Sequence, residues 1–190
     1  IAFNPGNFEY HHKRALYFMA LDTDNDDERR TFHLEARKSL EQALDRNPAR
    51  GILWYNLGYI YSFKRHDLTE YLNTWLPLAD DCFDMAIQYA PKDAYLLFNI
   101  GRYWVWRSQL LPKKVLPVLR GSQKLFQEDG IDKFQDLFQR YLALNPDAWK
   151  DAFDSVWETY PQDRVVFNIV PAENQELKSR VLQELAKRNQ

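Results

Sequence analysis

Three aspartates, Asp22, Asp24 and Asp26, alternate as the opening of a calcium-binding loop would. Such a loop then needs a glycine at its sharp turn and a bidentate glutamate to close it. Those places hold Asp27 and His33, so the run reads as a solvated corner between two helices. The four histidines, His11, His12, His33 and His66, show neither His-x-x-x-His nor His-Glu-x-x-His spacing. No phosphate-cradling glycine loop and no Gly-x-Ser-x-Gly elbow occurs. Asp80 and Asp81 are adjacent, and on a helix adjacent side chains point different ways. Cys82 is the sole cysteine and lies in an apolar helical pattern, which reads as a buried, inert thiol. The chemistry-bearing residues thus predict no catalytic centre, no metal and no cofactor.

Recognition is the chemistry that is left. Six Trp, eleven Tyr and twelve Phe in 190 residues exceed what a minimal core requires, so the chain reads as one ordered domain over residues 1–190. A net charge of -2, with no basic patch, argues against nucleic acid as the partner. No apolar run is long enough for a transmembrane helix. The chain opens on Ile1 without a signal-peptide pattern, which suggests an excised or processed piece of a longer protein.

The elements that must position these aromatics repeat. A shift of 43 residues carries Ala36 to Ala79, Leu40 to Phe83, Ala43 to Ala86 and Pro48 to Pro91. It also carries Ala15 to Gly58, Gly58 to Gly101, Phe18 to Tyr61 and Tyr61 to Trp104. Each unit predicts two antiparallel helices. The first unit has helices near 8–21 and 27–47, with Asp26 or Asp27 as the N-cap of the second. The second unit has a helix over 51–64, a turn at Arg65–Asp67 with Asp67 as N-cap, and an arm that Pro77 divides. The third opens over 93–110, is broken by Pro112, Pro117 and Gly121 into a connecting segment with a short helix, and ends in GIDKFQDLFQRYLALNP. Beyond Pro146 an amphipathic helix over 147–160 is predicted. RVVFNIV, residues 164–170, fits either a short helix or a strand, and a closing helix over 172–189 turns Leu177, Val181, Leu182 and Leu185 inward. Such a terminal helix would cap a stack of repeats.

The run Trp54, Tyr55, Asn56, Leu57, Gly58, Tyr59, Tyr61, followed by Ala79, Phe83, Ala86 and Pro91, resembles a tetratricopeptide repeat. Ala36, Leu40, Ala43 and Pro48 resemble the second half of another. The third unit keeps Asn99, Ile100, Gly101 and Trp104 but has Leu97 where the family favours Trp. The first unit has His11 at that place and Lys13 where Asn56 stands. The family unit is about 34 residues, shorter than the spacing here, and a longer period also suits HEAT and armadillo units. The typed positions favour the tetratricopeptide reading. The segment from Asn145 to Arg188 is similar to the tail of helical-repeat regions attached to bacterial O-antigen ligase or polymerase-type membrane proteins.

The resemblance implies an all-α, right-handed α-solenoid of three helix pairs, at about 8–48, 51–91 and 94–146, with a divergent helical C-terminal cap over 147–190. It implies a non-catalytic scaffold whose first helices line a concave groove for a peptide or partner protein. The rows projected onto that wall are His12, Tyr55 and Phe98; Lys13, Asn56 and Asn99; and Leu16, Tyr59 and Arg102, extended by Ile52, Phe63, Tyr95 and Trp106. The family often pairs the Asn56 and Asn99 amide with a peptide backbone, but each could equally tie neighbouring helices together. Tyr55, Tyr59, Phe98 and Trp106 offer contact area of the kind found in binding hot spots, while for any one of them core packing is the favoured reading. The polysaccharide-assembly likeness implies a different role, an accessory domain tethered to a membrane protein in the cell envelope, meeting glycan or partner subunits.

Overall fold

A computed structural model describes residues 6–63, 70–110 and 120–188, the side chains of 120–128 apart. Among the described residues the chain is all-helical, with nine α-helices and no strand. Contacts divide it into two compact units, residues 1–91 and 92–190.

In the first unit α1 (Phe8–Ala20) packs on α2 (Asp26–Arg46), α2 on α3 (Gly51–Ser62), and α3 on α4 (Leu76–Tyr89). Asn25, not Asp26 or Asp27, caps α2, its Oδ1 accepting from the Asp27 and Glu28 N–H groups. The acids Asp26, Asp27 and Glu28 fill the first turn, where they complement the positive end of the helix. At the next corner the Trp54 indole N–H donates to the Pro48 carbonyl at 2.7 Å. The predicted turn at Arg65–Asp67 and the Asp67 cap lie outside the described residues.

Pro77 does not divide the arm. A π-turn over Tyr71–Trp75 runs straight into α4, and the Leu76 N–H bonds back to the Tyr71 carbonyl. The wider turn accommodates a residue with no N–H and a ring that would strike the preceding turn of a regular α-helix. The Tyr71 hydroxyl donates to the Ser62 carbonyl at 2.6 Å, satisfying an orphan acceptor at the end of α3.

The antiparallel pairing of α3 and α4 follows from their contacts. Gly51, at the start of α3, approaches Ala86 and Ala90, while Tyr61 near its end meets Trp75 at 5.7 Å. Between them Gly58 lies against Phe83: a Cβ there would stand 3.0 Å from the ring and 3.1 Å from the Cys82 Cβ. A glycine thus stands where Phe83 and Cys82 of the partner helix leave little room for a side chain. Cys82 is buried, and that burial, with Asp81 nearby, pushes its thiol up to about 12.

The second unit repeats this interior. α5 (Ala94–Arg107), capped by Asp93, packs on α6 (Arg120–Leu144), and a Cβ on Gly101 would stand 3.1 Å from the Phe138 ring. α6 begins ten residues before GIDKF. Gly121 therefore sits inside a helix, where the sequence reading placed a break. Pro112 and Pro117 lie outside the described residues. A 3-10 turn over Pro146–Ala148 leads to α7 (Trp149–Trp157), and RVVFNIV resolves as helix α8 (Asp163–Phe167) followed by a turn. Gln135 and Gln139 of α6 donate to the Val165 and Asn168 carbonyls, so those backbone acceptors are met by side chains, not by a neighbouring strand.

The closing helix α9 (Gln175–Arg188) buries Leu177, Val181 and Leu185 but leaves Leu182 54% exposed, against the inward placement expected of it. The three buried residues recur every fourth position and form one line, whereas Leu182 points a quarter-turn away. Arg188 fastens the helix to α7, pairing with Asp154 and standing 4.8 Å from the Phe153 ring and 5.7 Å from that of Trp157. No described helix is long and apolar enough to cross a membrane.

Candidate functional site

Helices α3 and α5 each carry a line of residues on the side away from Gly58 or Gly101. On α3 and its C-cap the line is Ile52, Asn56, Tyr59 and Phe63, and on α5 it is Tyr95, Asn99, Arg102 and Trp106. Spacings of four, three and four residues hold each set within one narrow stripe of helix surface.

In the first unit this line is closed in its middle. Asn56 is 6% exposed, and its Nδ2 lies 3.0 Å from the His12 Nε2 of α1. Burial, and then the Arg50 guanidinium, hold the His12 imidazole below its usual pKa. A neutral ring accepts from the amide N–H, so the Asn56 amide ties two helices together. Arg50 in turn lies 5.7 Å from the Phe8 ring. Further along, Tyr59 is 43% exposed and meets Phe63 edge-on at 4.9 Å, while Phe63 stacks on His33 of α2 at 4.4 Å. Tyr55 turns toward α4 and is half-buried against Phe83 at 5.8 Å.

In the second unit the line is open. Tyr95 is 58% and Trp106 38% exposed, and Arg102 between them is exposed too. The Asn99 Nδ2 donates to the Tyr95 carbonyl at 2.8 Å, within its own helix. Phe98, half-buried, fills the space beside Phe138 and Tyr141, at 6.0 Å and 5.0 Å, and supports the Arg102 guanidinium at 5.8 Å from its ring. Trp106 leans on Tyr103 at 5.6 Å.

The nine candidate residues thus separate into three kinds. Tyr59, Tyr95, Arg102 and Trp106 reach solvent. Tyr55, Phe63 and Phe98 are half-buried wall, and each asparagine gives an amide N–H to a partner in the chain, Asn56 to His12 and Asn99 to its own helix. The fixed aromatic planes and the single cation can hold an apolar side chain and an anion. Sequence reasoning missed the stacking of His33 on Phe63, which joins positions thirty residues apart with no shared motif. It also missed a cleft of about 380 Å³ between α8 and α9, lined by Asp163, Arg164, Phe167, Leu182, Leu185 and Ala186. Among the described residues, no three His, Cys, Asp or Glu side chains gather as metal ligands would. No protein-family model matches the chain, and no curated protein resembles it at a significant level.

Proposed function

We propose that this chain is a non-catalytic scaffold of the tetratricopeptide kind. In this reading its three helix pairs are successive turns of a right-handed solenoid, its last helices are the cap, and its first helices hold a peptide segment or partner protein. The observation that carries the reading is the outward line of α5, where Tyr95, Arg102 and Trp106 stand in solvent along one helix face. Large aromatics in a helix normally serve the core, and tyrosine, tryptophan and arginine are the residues that dominate binding at interfaces. The tetratricopeptide kinship is supported by the repeated seam, in which Gly58 meets Phe83 and Gly101 meets Phe138.

Replacing Tyr95 and Trp106 together by Ser tests it. Helicity should stay as it is and melting should fall only modestly, through the lost Trp106 contact on Tyr103, while capture of a partner cross-linked from α5 should weaken roughly tenfold or more. Undiminished capture contradicts the reading.

A further inference from the structure

Arg102 is an exposed cation on a helix that carries no acid. The sequence of α5 holds two arginines, Arg102 and the buried Arg107, and no Asp or Glu. Among the described residues no carboxylate pairs with Arg102, whose described contact is with the face of Phe98. Other arginines find acids, Arg29 with Asp26 and Arg180 with Glu176, while Arg50 lies as Arg102 does, against a ring, that of Phe8. Phe98 is itself packed against Phe138 and Tyr141, so the guanidinium rests beside a ring that is held in place, and Arg102 remains exposed.

The geometry of the line defines what would meet it. Arg102 and Trp106 are one helical turn apart, about 6 Å along the axis at 1.5 Å per residue. An extended chain covers that distance in about two residues, and residues two apart in an extended chain face the same way. We propose that the outward line of α5 reads an acidic side chain in an extended protein segment. Arg102 takes the carboxylate, Trp106 covers a large apolar side chain two residues away, and Tyr95 flanks the segment on the other side. The inference rests on the reading that this face of α5 holds a protein segment, and adds the chemistry of that segment.

An array of octapeptides, acetylated at one end and tethered at the other so that no terminal charge remains, tests it with wild-type protein and with Arg102→Glu. Wild type should enrich peptides carrying Asp or Glu two residues from Leu, Phe, Tyr or Trp, and Arg102→Glu should lose that enrichment. In a selected peptide, Glu→Gln should weaken binding about fivefold, the scale of an exposed ion pair, and the gap should close as salt is raised. A Glu→Lys peptide should regain binding on Arg102→Glu. Enrichment of apolar peptides with no acidic preference overturns the inference and leaves the segment-binding function standing. Recovery of no peptide sensitive to Tyr95→Ser and Trp106→Ser, with tryptophan quenching by a neutral oligosaccharide in its place, overturns both.

Discussion

The outward lines of α3 and α5 are the same element written twice, 43 residues apart, with opposite outcomes. On their inner sides the two helices agree: a glycine presses on a phenylalanine, Gly58 on Phe83 and Gly101 on Phe138, and a second aromatic, Tyr55 or Phe98, leans on that same ring. On their outer sides they diverge. In the first unit α1 supplies His12 to the amide of Asn56 and closes the line there. In the second unit Asn99 bonds its own backbone, and the line ends in an exposed tryptophan. The inner side is dictated by a helix pairing that recurs, and the outer side by whatever stands across from it. Positions 43 residues apart therefore make a joint between helices in one place and, in the other, part of the exposed line that we propose as the recognition surface.

Removing the shared part should cost most and should cost alike. Phe83→Ala and Phe138→Ala each empty a fully enclosed ring site, and each should lose about 3–5 kcal/mol in denaturant unfolding. A large difference between the two would break the equivalence of the seams. A sharper version replaces the glycines. Gly58→Ala and Gly101→Ala push a methyl against a ring that can yield by tenths of an ångström, at about 1–3 kcal/mol each. Gly51→Ala should exceed both, because its methyl would stand 2.7 Å from the Ala86 carbonyl oxygen, which belongs to a rigid helix.

The asparagines should then separate the units. Asn56→Ala strips the His12 ring of its partner in a half-buried joint and should cost about 1–3 kcal/mol, whereas Asn99→Ala should fall within about 0.5 kcal/mol. Equal costs would mean that the two lines do not differ as described.

The smallest effect is the pH dependence of that joint. The folded His12 binds its proton less readily than the unfolded chain does, so the unfolded state carries more protons at mildly acidic pH. Its stabilising contribution is present above the ordinary histidine range and declines as pH falls through it. Across melts at descending pH, His12→Gln should flatten this slope, since Gln offers an acceptor that does not titrate. An unchanged slope would assign the dependence to another group.

How far the sequence carried these conclusions depended on whether the information was local. The glycine seam was legible because Gly58 and Gly101, Ala36 and Ala79, and Ala43 and Ala86 recur at one interval, and packing restricts residue size at such points. The course of the arm through Pro77 was not legible. Proline forbids a regular turn, and only the backbone reveals that a π-turn provides the alternative. The start of α6 at Arg120 was missed because Gly121 weakens a helix without ending one. At the site, Tyr95 and Trp106 could be projected outward from helical phase alone. The inward turn of the Asn56 amide depends on a histidine 44 residues away and left no periodic trace.

The claim that the α5 line is the recognition surface is tested most directly by oxidative footprinting of the whole chain, with and without a peptide selected on the array. Bound peptide should protect Tyr95 and Trp106 severalfold and leave the exposed Tyr17 of α1 and Tyr89 of α4 reacting as before. Protection of Tyr17 or Tyr89 with none at Tyr95 and Trp106 would place the binding surface elsewhere and contradict the account.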